Sequence, residues 1–164
     1  MDGEGVGKGK DRKMKTIETI IKHHGGLDAL KEKYIRIENE PYMRLCIEYV
    51  GQGPRNLPLV SVAHYGEQNG DAMRDPDMVF EVKWAYAEET NNGLYWHWEP
   101  ISFRNDYLGV NQTAVWKDPD KGIMVKPRLV RELKAFARTW DKNIKEQGFL
   151  EAFNKQDARL SVDR

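Results

Sequence analysis

The chain has 164 residues, of which 40% are hydrophobic and 32% charged, and its 26 basic and 26 acidic side chains give a formal net charge of zero, which argues against a globally basic nucleic-acid binder. A single domain of this length buries about two-thirds of its extended surface, and no apolar run approaches the ~20 residues of a membrane span. Cys46 is the single cysteine, which excludes an intramolecular disulfide and any zinc site built from several cysteines, and makes the cytoplasm the expected compartment.

The opening stretch "MDGEGVGKGKDRK" has almost nothing to bury. Residues 1–13 are therefore expected to form a disordered tail and residues 14–164 a single domain. The tail lacks the apolar core of a secretory signal. Its glycines do not make a phosphate loop: Gly7-Lys8 would need a glycine where Asp2 stands and a Ser or Thr where Gly9 stands. From Met14 the period turns helical, with Met14, Ile17, Ile20, Ile21 and His24 on one face. "HHGG" stops this helix, because His23 and His24 suit its negative end and Gly25 accepts the left-handed cap. Adjacent histidines suggest metal, but neighbours on a helix point about 100° apart, and a capping or surface role fits them better. A second short helix, "LDALKEKY", offers Leu27, Leu30 and Tyr34 as its apolar face.

The period then changes to two. In "YMRLCIEYV", Met43, Leu45, Ile47 and Tyr49 alternate with Arg44, Cys46 and Glu48, as a half-buried strand requires. "LPLVSVAHY" and "MVFEVKWAY" continue the pattern, the latter with Met78, Phe80, Val82 and Trp84 on one face. "NNG" at 91–93 signals a hairpin turn. "LYWHWEPISF" is the next strand, with Pro100 marking a bulge or an edge, and "TAVWKD" the last. Strands joined by turns without intervening helices predict an antiparallel meander.

The C-terminal helix begins at Pro127 and ends near Gly148, with Leu129, Leu133, Phe136, Trp140 and Ile144 as its apolar stripe. "FLEAFNKQDARLSVDR" adds no more than a frayed turn. The expected fold is α+β: an antiparallel meander of five or six strands, two short N-terminal helices, and one long C-terminal helix packed on the sheet.

Charge is uneven along the chain. Residues 1–34 carry net +2, residues 35–116 net −6 and residues 117–164 net +4, a pattern that suits a charged partner or opposite charges meeting across the fold. The back of the C-terminal helix holds the best-patterned charge. Arg131, Lys134, Arg138, Lys142 and Lys145 step by three or four residues over about 21 Å and are candidate partner-binding residues. The competing reading is a solvated helix face, partly neutralised by Glu132, Asp141 and Glu146.

"HYGEQNGDAMRDPDM", residues 64–78, is the second candidate. Glu67, Asn69 and Asp71 fall at positions 1, 3 and 5 of a calcium loop. The fit then fails, since Gly70 stands at position 4 rather than 6 and Met78 at position 12. A different divalent-cation site could use His64, Glu67, Asp71 and Asp106; the competing reading is a ten-residue hairpin connection turning at Asn69-Gly70. No resident metal or other cofactor is expected. Trp96 and Trp98 share a face, as in a core rather than a stacking platform, while Glu99 and Asp106 are a candidate acid/base pair. No serine sits in G-x-S-x-G. Cys46 forms a dyad with His64 only if adjacent strands align them, and otherwise packs.

"SVAHYGEQNGDAMRDPDMVFEV", "WEPISF", "LGV" and "LKAFARTWDKNIKEQGF" together resemble an uncharacterised domain family of plasmids, integrative elements and phages, over most of residues 35–149. Its signature block reads "HYYEQNGDxMxDPEM"; here Gly66 replaces the second tyrosine and Asp77 the glutamate. The resemblance implies a mobile-element context and brings no catalytic residues. The expected function is a non-enzymatic accessory protein that binds a protein or nucleic acid, one version being interference with a host defence system. The alternative is a small divalent-metal-dependent hydrolase or nuclease centred on residues 64–77.

Overall fold

The alternating runs close into one antiparallel sheet. The structure, a computed structural model, describes residues 14–87 and 93–162. Its strands are β1 (Ile35–Asn39), β2 (Tyr42–Gln52), β3 (Pro58–Gln68), β4 (Asp71–Ala87), β5 (Gly93–Asn105) and β6 (Val110–Thr113), hydrogen-bonded in sequence order. β7 (Val115–Asp118) and β8 (Gly122–Val125) form a separate two-stranded ribbon beside β5. The helices are α1 (Lys15–His24), α2 (Leu27–Glu32), α3 (Pro127–Glu146) and α4 (Phe149–Val162). The α+β meander with short N-terminal helices and a long C-terminal helix is as the residue pattern predicts.

One face of the sheet is apolar and supports the helices. Register places Ile35, Ile47, Val62 and Met78 in one row, and Tyr49, Val60 and Phe80 in the next. All but Tyr49 are buried, together with Leu45, Trp96 and Trp98. α1 meets them with Ile17, Ile20 and Ile21, and α3 with Leu133, Ala137, Trp140 and Ile144. Non-directional burial of this apolar surface is the main force that holds helices to sheet. No helix among the described residues is long and apolar enough to cross a membrane.

Two buried carboxylates fix α1. Asp141 of α3 accepts the backbone N–H groups of Thr16 (3.0 Å) and Ile17 (3.2 Å), so it caps α1 from another helix. Burial pushes its carboxyl up, against the pull of those N–H donors. Glu18 accepts from Lys22 (2.9 Å), from the Trp96 backbone N–H (3.2 Å) and from Trp98 Nε1 (3.3 Å), tying α1 to β5.

Three local expectations change. Tyr34 does not extend the second helix: Lys33 is extended (φ −148°, ψ 124°), the chain leaves α2 there, and Tyr34 is exposed. The segment after Gly148 is a 14-residue helix rather than a frayed turn, because Phe149 and Phe153, one turn apart, are both buried against α1, α3 and β1. The 64–77 stretch is almost all strand. β3 runs to Gln68 and β4 starts at Asp71, and Asn69 (φ 54°) with Gly70 (φ 85°) makes a two-residue turn. Positive φ at both positions is the hairpin geometry that Asn-Gly favours. Pro100 does flank a bulge: Phe80 opposes Pro100 while Val79 opposes Ser102. The turn expected at "NNG" and the expected tail at 1–13 lie outside the described residues.

Candidate functional site

α3 presents its cations to solvent because the opposite stripe is buried. Arg131, Arg138, Lys142 and Lys145 are exposed and Lys134 half-buried. The three acidic residues that could neutralise the row mostly turn away from it. Asp141 is buried beneath α1, and Glu132 pairs with Arg128 at 3.3 Å. Glu146 reaches Lys142 at 4.0 Å, a distance at which an exposed pair contributes little. Arg131, Arg138 and Lys145 have no ion pair among the described residues.

Lys134 leaves the row. Its ammonium lies 3.2 Å from Glu99 Oε2, while Glu99 Oε1 holds His97 Nε2 at 2.5 Å. Both residues belong to β5 and alternate with the core residues Trp96 and Trp98. Glu99 stands opposite Glu81 and His97 opposite Lys83 across the β4–β5 pair. Burial opposes ionisation of Glu99, but the His97 hydrogen bond and the Lys134 charge together hold its carboxyl down to about 2.

Glu81 has a fully buried side chain. It accepts the Arg55 backbone N–H at Oε2 and Arg55 Nη1 at Oε1, both at 2.8 Å. This needs the glycine at 53, since a Cβ there would lie 2.4 Å from Glu81 Oε2. Arg55, Leu57, Glu81, Lys83, His97 and Glu99 line a cleft of about 460 Å³ on the side of the β4–β5 pair opposite Val82, Trp96 and Trp98.

The 64–77 candidates do not converge. His64 points into the core, its ring edge-on to Trp140 (5.6 Å between centroids) and tilted against Phe149 (5.4 Å), with Nδ1 3.1 Å from the Met43 carbonyl oxygen. Burial pushes its imidazole below the usual histidine range. Glu67 and Asp71 are exposed beside the hairpin turn. Asp106 is engaged elsewhere, accepting the Arg74 backbone N–H (2.8 Å) and Arg104 Nε (2.9 Å). Among the described residues no three His, Cys, Asp or Glu side chains are placed to hold a metal ion. Glu99 therefore partners His97 and Lys134 instead of Asp106.

The remaining candidates take structural places. Cys46 pairs with Ala63 while Leu45 pairs with His64, so Cys46 and His64 face opposite sides of the sheet and form no dyad. His23 Nδ1 meets Asn154 Oδ1 (3.0 Å) and His24 Nε2 meets the Lys33 carbonyl oxygen (2.9 Å). Trp96 and Trp98 are core residues.

Residues 15–150 match a family described as a domain of unknown function, DUF6908. The chain belongs to that family. No curated protein and no solved structure matches it. The DUF6908 match takes in α1 through α3, the 64–78 block and the cleft, and stops at the start of α4. The aromatic that the signature block leads one to expect at 66 has no room in this DUF6908 domain as it stands. A Cβ at Gly66 would lie 2.4 Å from the Tyr107 hydroxyl, which donates to the Glu67 carbonyl oxygen at 3.3 Å.

Arg55, Glu81, Lys83 and His97 were not legible as a site, because in sequence each is an ordinary polar position of a strand or a loop. The available signal was register. Lys83–His97 and Glu81–Glu99 are cross-strand neighbours in the β4–β5 pair.

Proposed function

We propose that this chain is a non-enzymatic binding protein that engages an anionic partner, a nucleic acid or an acidic protein surface, through the exposed cations of α3. The observation that carries this reading is the fate of the row's counter-charges. With Asp141 buried and Glu132 paired to Arg128, Arg131, Arg138 and Lys145 stand without ion pairs among the described residues, on a helix held rigid by Leu133, Ala137, Trp140 and Ile144. A mobile-element accessory role in the cytoplasm, including interference with a host defence, is the finer version of this proposal. It rests on the family resemblance and on the single cysteine. The divalent-metal hydrolase reading draws no support from His64, which is packed between Trp140 and Phe149.

Fluorescence anisotropy with labelled DNA and RNA over a salt series tests the nucleic-acid form. Log affinity is expected to fall linearly with log salt, with a slope of about −3 for three to four neutralised phosphates on duplex DNA. Arg131→Glu with Arg138→Glu should flatten that slope by about 2. Binding insensitive to both salt and the double reversal removes the α3 reading.

A further inference from the structure

The carboxylates of the cleft are already engaged within the protein. Both oxygens of Glu81 hold Arg55, and the two oxygens of Glu99 hold His97 and Lys134. Each oxygen thus carries one donor, and the two negative charges are compensated. On the ligand side, Lys83 is exposed with no ion pair among the described residues, and His97 Nδ1 has no hydrogen-bond partner among them. Arg55 is held by one nitrogen and is about one-third exposed. Arg55, Lys83, Glu81 and Glu99, which line the cleft, sum to zero; Lys134, touching Glu99 from α3, brings the group to +1, and an imidazolium at His97 adds one more. An ion pair as deeply buried as Arg55–Glu81 is a poor way to gain stability alone, whereas it does fix a guanidinium in place.

We infer that this cleft binds a phosphate group of a nucleic-acid strand, with Lys83, Arg55 and His97 as its donors. The inference rests on the α3 reading and names the partner's chemistry. Lys134 joins the two places, since it belongs to the helical row and its ammonium touches the cleft through Glu99. With Nε2–H donated to Glu99, Nδ1 accepts hydrogen bonds in the neutral ring and donates only in the imidazolium. The imidazolium form therefore holds Glu99 and a phosphate oxygen with its two N–H groups at once.

The test follows the His97 ring by NMR in the full chain while inorganic phosphate, a 5′-mononucleotide, a single-stranded oligonucleotide or polyglutamate is added. The expected result is that the three phosphate-bearing probes, and not polyglutamate, shift the His97 ring resonances. Lys83→Gln, at an exposed position, should weaken the oligonucleotide about tenfold, the loss of one charge-assisted hydrogen bond. His97→Gln should weaken it similarly. No response of His97 to any phosphate-bearing probe overturns the inference. So does an equal response to polyglutamate, which points to an acidic protein partner. Oligonucleotide binding that is lost in Lys83→Gln but untouched by Arg131→Glu with Arg138→Glu supports the cleft and removes the α3 reading alone.

Discussion

The β3–β4 hairpin end and the middle of the β4–β5 pair carry similar residues and use them in opposite ways. Near the hairpin end, His64 is packed between Trp140 and Phe149, and Asp106 is spent on Arg74 and Arg104. In the middle of β4–β5, Glu81 and Glu99 hold cationic groups at the mouth of a cleft, and His97 is exposed with one ring nitrogen uncommitted. The difference is which side of the sheet each position faces. A histidine on the core side becomes a packing residue, and the same side chain on the opposite side keeps its chemistry. Composition marks the first region as the site; facing favours the second.

The comparison breaks most visibly at His64. His64→Ala leaves a cavity among Trp140, Phe149 and Leu45 and should cost about 2–4 kcal/mol in urea unfolding. A loss below about 0.5 kcal/mol would mean that the ring is not part of the core. A second, smaller effect concerns acid. The Glu99 carboxyl is held at about 2 in the folded chain against an ordinary value of 4.5, so it stabilises the fold above 4.5 and that contribution fades as pH falls from 4.5 toward 2. With the side chain partly exposed, about 1 kcal/mol should be lost over that window in the native chain and not in Glu99→Gln, as read from unfolding curves at stepped pH. The smallest effect is at His97. His97→Ala should cost less than about 1 kcal/mol, since it removes only part of what holds the Glu99 carboxyl down and the exposed ring packs against nothing it would leave empty. Equal costs at His64 and His97 would erase the distinction between the two faces.

Much of the fold was legible because burial here follows simple periods. Leu45, Ile47, Val60, Val62, Met78, Phe80 and Trp98 all lie on the face that alternation assigns, and Ile17, Ile20 and Ile21 on the face that the helical period assigns. β1 was missed because "IRIEN" has only Ile35 and Ile37 to show an alternation. α4 was missed because only two residues, Phe149 and Phe153, are fully buried along a polar helix. The row on α3 was legible as a row, but the sequence counted Asp141 as its neighbour on the surface. Its burial follows from α1 having no side-chain cap of its own, a tertiary fact that no local window contains. The cleft was the least legible part, since Arg55 and Glu81 meet only through the fold of the loop after β2.

The capping of α1 by Asp141 also sets an order of events. Thr16 and Ile17 leave the ribosome about 125 residues ahead of the carboxylate that receives their N–H groups. A helix of 10 residues is marginal in water by itself. The first helix among the described residues is therefore among the last to settle, and it must wait, solvated, until Asp141, in the last third of α3, has been made. Hydrogen exchange on nascent chains halted at residue 126 should find the α1 amides unprotected; slow exchange there would show that α1 forms without its distant cap.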